Sequence, residues 1–262
     1  MSIVLLKDLY FSYEDGARVL EDVDLCLDRG TISVLMGPSG AGKTTMLRLI
    51  NLLEDPTSGK VIHQFKGNSN QGEPDLLSLR RRMGFVFQEP ALFDSSVGGN
   101  VAYGLMTRVG FLNHFWGKVK RKVPLLESNY HEVETKISRA LDRVGLEGFQ
   151  DRHVRSLSAG EHRRVTLARS LVTEPEMLLL DEPTGNLDPR NTAVVEDIIK
   201  EVRSRDTTIF LASHDMHQAK RIGEDVFLLL DGDIVEGGPS ERIFDSPEDQ
   251  RTEDFINGKL VC

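Results

Sequence analysis

Apolar residues fall in short, nearly continuous runs separated by polar, helix-periodic stretches. Ile32-Ser33-Val34-Leu35-Met36, Met83-Gly84-Phe85-Val86-Phe87, Met177-Leu178-Leu179-Leu180 and Thr208-Ile209-Phe210-Leu211-Ala212 are too short for core helices. Their length and apolar character predict buried strands of a parallel sheet. Helices are expected at Thr44–Leu53, Gly160–Thr173 and Thr192–Arg203, and over Glu132–Val144, where Val133, Ile137, Ala140, Leu141 and Val144 recur at helical spacing. Nearer the start, Ile3-Val4-Leu5-Leu6 and Val23-Asp24-Leu25-Cys26-Leu27 predict short strands with a turn near Glu14-Asp15-Gly16. Phe227-Leu228-Leu229-Leu230 and Ile234-Val235 flank Asp231-Gly232-Asp233 and predict a hairpin. Residues 65–75 read as a polar loop, residues 90–160 as a helical insert in an α/β core, and the last ~20 residues as a polar surface tail.

Composition narrows the class. The 262 residues are 39% hydrophobic and 28% charged, ordinary for a globular chain. No apolar run approaches the ~20 residues that span a bilayer, and the start lacks a secretory pattern. Cys26 and Cys262 form no metal or redox motif, and a reduced, cytosolic compartment is expected. A formal charge of -9 argues against nonspecific nucleic-acid binding, so no nucleic-acid partner is expected.

Gly37-Pro38-Ser39-Gly40-Ala41-Gly42-Lys43-Thr44 matches G-x-x-x-x-G-K-[ST] between a strand and a helix. Glycines let backbone N–H groups wrap an anion, and the helix that follows aims its positive end at it. Lys43 would reach the β- and γ-phosphates of ATP, and the Thr44 hydroxyl would ligate Mg²⁺. Asp181 and Glu182 end an apolar strand, where unpaired carboxylates are costly. Mg²⁺ gives Asp181 a reason, and Glu182 would activate the attacking water. Gln88, after Phe85-Val86-Phe87, can bind Mg²⁺ or that water. His214, at the end of a strand, suits a γ-phosphate sensor, although alone it fits a hydrogen-bonded surface histidine as well. Ser158 can cap the helix after it and give a second anion-facing helix start.

Leu157-Ser158-Ala159-Gly160-Glu161 upstream of Asp181-Glu182 makes the set specific. With Tyr13, Gly37–Thr45, Gln88, Asp188 and His214, the chain resembles ABC ATPases over essentially its whole length. That resemblance implies an α/β fold: a P-loop NTPase (RecA-like) core with a parallel sheet, an N-terminal antiparallel β subdomain and an α-helical subdomain. It implies one domain, with the ATP-binding core at about 1–90 and 162–240, the helical subdomain at about 91–161 and the tail at about 241–262. By the same resemblance Tyr13 would stack on adenine, and Gly37 through Thr45 would hold the phosphates. Thr44, Gln88 and Asp181 would hold Mg²⁺. Gln88 would head the loop that senses the membrane partner, and Asp188 would mark a loop crossing a dimer interface. Ser158, Ala159, Gly160 and Glu161 would face the ATP of a second copy. Ala159 and Glu161 depart from the family's usual glycine and glutamine, adding a methyl group and a negative charge beside that ATP.

The family's partners would be transmembrane permease subunits, a second copy of the chain and an extracytoplasmic substrate-binding protein. Its location would be the cytoplasmic face of the membrane. The tail, above all Arg251-Thr252-Glu253-Asp254-Phe255-Ile256-Asn257-Gly258, resembles ATPases of phosphate importers and is similar to those of tungstate or molybdate importers. Gly185-Asn186-Leu187-Asp188 instead resembles lipoprotein-release and cell-division ABC ATPases. A soluble ABC ATPase of DNA repair or translation would be expected to carry a second nucleotide-binding unit or a basic face. The favoured expectation is ATP hydrolysis powering uptake of an oxyanion, phosphate first. Phe111 to Val123 holds the only tryptophan, Trp116, with Lys118, Lys120, Arg121 and Lys122. That mixture suits anionic headgroups near the membrane partner, or a solvated basic loop.

Overall fold

A computed structural model describes residues 1–14, 16–65, 75–106 and 127–259. The aromatic and basic segment, most of the polar loop at 65–75, and Cys262 lie outside the described residues. The described chain forms two compact units. The first comprises residues 1–88, 176–183 and 199–262, and the second residues 89–175 and 184–198.

The first unit contains two sheets. β1 (Ser2–Ser12) and β2 (Arg18–Asp28) are long antiparallel strands, and β4 (Ser58–His63) pairs with the other edge of β1, giving the order β2-β1-β4. Both long strands extend well beyond the apolar runs that announce them. Asp8 and Asp22, at φ of 46° and 52°, sit in the left-handed region within β1 and β2. The β1–β2 register shifts between Leu6 and Leu9. Aspartate tolerates that conformation, and bulges of this kind break the alternation that would reveal a long strand.

The second sheet has the order β5-β6-β7-β3-β8-β9. Its strands are β3 (Ile32–Met36), β5 (Met83–Val86), β6 (Met177–Asp181), β7 (Thr208–Ser213), β8 (Asp225–Leu230) and β9 (Asp233–Pro239). The first five in spatial order are parallel, and β9 returns antiparallel to β8. The connection is the two-residue turn Asp231-Gly232, both at positive φ, as the twist of a tight hairpin demands. β3, β6 and β7 are buried along their whole length, which explains why they read as apolar runs without alternation. α1 (Lys43–Ile50) packs Met46, Leu47, Leu49 and Ile50 into a core shared with Phe210, Leu179 and the inner faces of β1 and β2, and the short α2 (Leu76–Arg80) precedes β5.

The tail differs from the expected surface extension. α8 (Ser240–Asp245) and α9 (Gln250–Ile256) follow β9 directly, and Ile243 and Thr252 are fully buried. Glu236 of β9 fastens them. Its carboxylate accepts the backbone N–H groups of Glu248 and Asp249 at 3.0 and 3.2 Å and pairs with Arg242 at 3.0 Å. Burial pushes the Glu236 carboxyl up, but those donors outweigh it and hold it below its ordinary range.

In the second unit, α3 (Val97–Met106) and α4 (Glu127–Arg143) pack with α5 (Ala159–Leu171). Thus α5, expected with the ATP-binding core, clusters with the helical residues, as do residues 184–198. A Cβ at Gly104 of α3 would lie 2.2 Å from the Arg169 carbonyl of α5, so the bare glycine sets that close helix approach. Pro189–Arg203 form α6, and α7 (Met216–Ile222) follows β7 in the first unit.

Candidate nucleotide site

Parallel strands deliver their following loops at one edge of a sheet, which is where open α/β sheets bind ligands. Here β5, β6, β7 and β3 are consecutive neighbours. Their carboxyl ends lead to Gln88, Asp181-Glu182, His214 and the loop at Gly37–Gly42. Residues up to 177 positions apart in sequence (Gly37 and His214) are therefore set side by side by strand order alone.

The loop is held from both flanks. Gly42 has φ of 106°, and a Cβ there would lie 3.0 Å from the Val19 carbonyl of β2. The same carbonyl would meet a Cβ at Gly232, the hairpin tip, at 2.7 Å, and the Glu21 N–H donates to the Gly232 carbonyl at 2.9 Å. Lys43 is only 6% exposed. Its Nζ donates to the carbonyls of Gly37 and Pro38 at 2.7 and 2.8 Å, folding the lysine back along its own loop. Burial pushes the Lys43 ammonium down, against the opposing pull of Glu182 and Asp181.

The Thr44 hydroxyl donates to Asp181 at 2.9 Å. Asp181 is 3% exposed, and burial pushes its carboxyl up, with the Thr44 bond working the other way. Two hard oxygen donors thus converge where a carboxylate is under-compensated, a donor set that fits Mg²⁺. Glu182 follows at φ of 43°. Leaving the strand conformation there turns its side chain off the strand's alternation. Its carboxylate accepts from His214 Nδ1 at 3.1 Å and from Gln88 Nε2 at 3.0 Å. Gln88 is thus hydrogen-bonded to the second carboxylate. The Tyr13 hydroxyl is 3.1 Å from that of Thr45, and its ring meets Phe11 edge-on at 4.9 Å while 38% of the residue stays exposed.

The remaining candidates belong to the second unit. Ser158 caps α5 in a reciprocal box: its hydroxyl accepts from the Glu161 N–H at 3.3 Å, and Glu161 accepts from the Ser158 N–H at 2.7 Å. The Ser158 N–H bond holds the Glu161 carboxyl below its ordinary range. Ala159 is exposed at the helix start and Gly160 is buried. Asp188 caps the start of α6 through the N–H groups of Arg190 and Asn191. Asn191 belongs to no motif visible in the sequence. Its signal is an asparagine three residues after an acidic helix cap, close enough to turn back onto it.

A family profile described as ABC transporter matches residues 20–185. The chain is 45% identical over 250 residues to a phosphate import ATP-binding protein of Natronomonas pharaonis, covering 94% of this chain and 84% of that one. Among solved structures, it is similar to cbiO1 of Clostridium perfringens, part of the ABC transporter complex cbiONQ. That match has a TM-score of 0.77 and 28% identity, and covers 98% of this chain and 96% of that one. It is also similar to the ATP-binding cassette MJ0796, solved as a post-hydrolysis dimer bound to ADP and Pi. There the TM-score is 0.73 and identity 28%, covering 91% of this chain and 99% of that one.

Proposed function

The chain belongs to the ABC transporter family, and from that premise we propose that it hydrolyses ATP to power uptake of an inorganic oxyanion, phosphate. The observation that carries the substrate is the 45% identity to a phosphate import subunit along nearly the whole chain. In this reading Tyr13 carries the adenine on its exposed ring. Gly37 through Thr45 take the phosphates on backbone N–H groups and the start of α1. Lys43 exchanges the Gly37 and Pro38 carbonyls for phosphate oxygens. Thr44 and Asp181, with Gln88 in the same group of side chains, would hold Mg²⁺, which would supply charge neutralisation on the phosphates. Glu182, steadied by His214 and Gln88, accepts the proton of the water that attacks the γ-phosphorus, and ADP departs.

Two copies are proposed to close around two ATP molecules, with Ser158, Ala159, Gly160 and Glu161 of one copy facing the nucleotide of the other. Asp188 lies at the same interface. Opening and closing drives transmembrane permease subunits from the cytoplasmic face, fed by an extracytoplasmic phosphate-binding protein. No helix among the described residues is long and apolar enough to cross a membrane. The test is ATPase activity of the complex rebuilt in proteoliposomes with its permease and binding protein. Stimulation by phosphate-loaded binding protein is expected, coupled to phosphate uptake. Stimulation by tungstate or molybdate in its place would reassign the substrate.

A further inference from the structure

We infer that Asn191 is a positioning residue for ATP hydrolysis, a strut that seats the loop around Asp188 against the start of α5 at Gly160. Its Nδ2 donates to Asp188 Oδ2, while Asp188 Oδ1 accepts the backbone N–H groups of Arg190 and Asn191, each at 3.0 Å. Capping α6 requires only the backbone bonds, so the side-chain bond fixes the carboxylate beyond what the helix needs. The other face of the same carboxamide lies against Gly160. A Cβ there would sit 2.2 Å from Asn191 Oδ1 and 2.4 Å from its Cγ, far inside contact distance. Asp188 is exposed, Asn191 half-buried and Gly160 buried, so one short side chain spans from the surface loop to the helix. The Asn191 N–H also holds the Asp188 carboxyl below its ordinary range, which keeps it an ionised acceptor for both bonds.

The functional consequence rests on the proposed reading that Asp188 and Ser158–Gly160 face the ATP of a second copy. Their spacing then sets transition-state geometry across the interface, whereas nucleotide affinity of a single copy is set by the loop at Gly37–Thr45. Misplacement of about 1 Å in a catalytic assembly costs up to roughly a hundredfold in rate.

The test is steady-state ATPase kinetics with equilibrium ATP binding on the full chain. Asn191→Ala should lower kcat by roughly ten- to a hundredfold, with the Kd for ATP unchanged. Asp188→Ala combined with Asn191→Ala should be no worse than the poorer single variant, because both remove one unit. Unchanged kcat in Asn191→Ala, or losses that multiply, would overturn the inference. Should Asn191→Ala not fold, Asn191→Asp keeps the shape, removes the donor and carries the same expectation. Gly160→Ala supplies the second arm. Its loss of kcat should be partly restored by adding Asn191→Ser, which shortens the strut, and no restoration would show that Gly160 answers to something other than Asn191. Full kcat in both Ser158→Ala and Asp188→Ala would remove the two-copy reading itself. That outcome is distinguishable from impaired Ser158 and Asp188 variants beside unaffected Asn191 variants.

Discussion

Glu182 occupies a backbone region that costs a non-glycine residue about 1–2 kcal/mol, and it does so one step after a fully extended strand. That turn gives adjacent carboxylates different partners: Thr44 for Asp181, His214 and Gln88 for Glu182. Glu182→Gln keeps the size and one of the two acceptor oxygens while removing the proton acceptor. ATP binding should persist, turnover should fall by roughly 10²–10⁴-fold, and an ATP-bound dimer should accumulate on size-exclusion chromatography. Glu161 lends itself to a subtler change. Glutamine can also close a capping box, so Glu161→Gln should cost no more than about 1 kcal/mol, from the lost charge at the helix start, while removing one negative charge from the start of α5. ATP-driven dimerisation should then need less ATP, read from ATPase activity against ATP concentration, and a higher ATP requirement would contradict that role for the charge.

Among the elements, the C-terminal pair α8–α9 is joined to β9 through Glu236, beside the Lys220–Asp245 ion pair and the buried Ile243. Glu236→Ala removes the acceptor of two backbone N–H groups and the partner of Arg242. A loss of about 1–3 kcal/mol is expected, with new protease cleavage between α8 and α9. The pH dependence follows from the sign of the shift. Because the folded-state value of Glu236 lies below the unfolded one, its contribution is complete above the ordinary carboxylate range and is lost as pH falls through the depressed value. Protease susceptibility of the tail should therefore rise in acid for the native chain and rise less in Glu236→Ala, where Asp249 still titrates at the start of α9. These helices were illegible as packed elements because each is six or seven residues long and fully buries little beyond Ile243 and Thr252. The central strands were legible for the opposite reason, burial on both faces. β1 and β2 fell between: their apolar stretches were visible, but the bulging aspartates hid their length. The phosphate loop, Asp181-Glu182 and His214 were readable as a set because each follows an apolar run and their order matches one family's motifs, and strand order brings them to one sheet edge. The turn of Glu182, the pairing of Gln88 with Glu182, and the strut at Asn191 depend on backbone geometry that residue type alone does not state.

For the whole molecule, nucleotide binding should appear as stability. A ligand bound only by the folded state at a hundred times its Kd adds about 2.7 kcal/mol, so ATP should raise the melting temperature of the native chain. Lys43→Ala should abolish that rise while leaving the nucleotide-free protein folded, and an undiminished rise would remove Lys43 from the site. The Val19 carbonyl, caught between Gly42 and Gly232, carries a further consequence, one of timing. Its two neighbours, Gly42 and Gly232, are 190 residues apart in the sequence (232 less 42). Ribosomes add roughly 5–20 residues per second, so about 10 to 40 s separate the emergence of these groups. A nascent chain holds the phosphate loop long before it holds the hairpin tip that braces it. Its ATP pocket therefore matures only once the hairpin tip at Gly232 has left the ribosome.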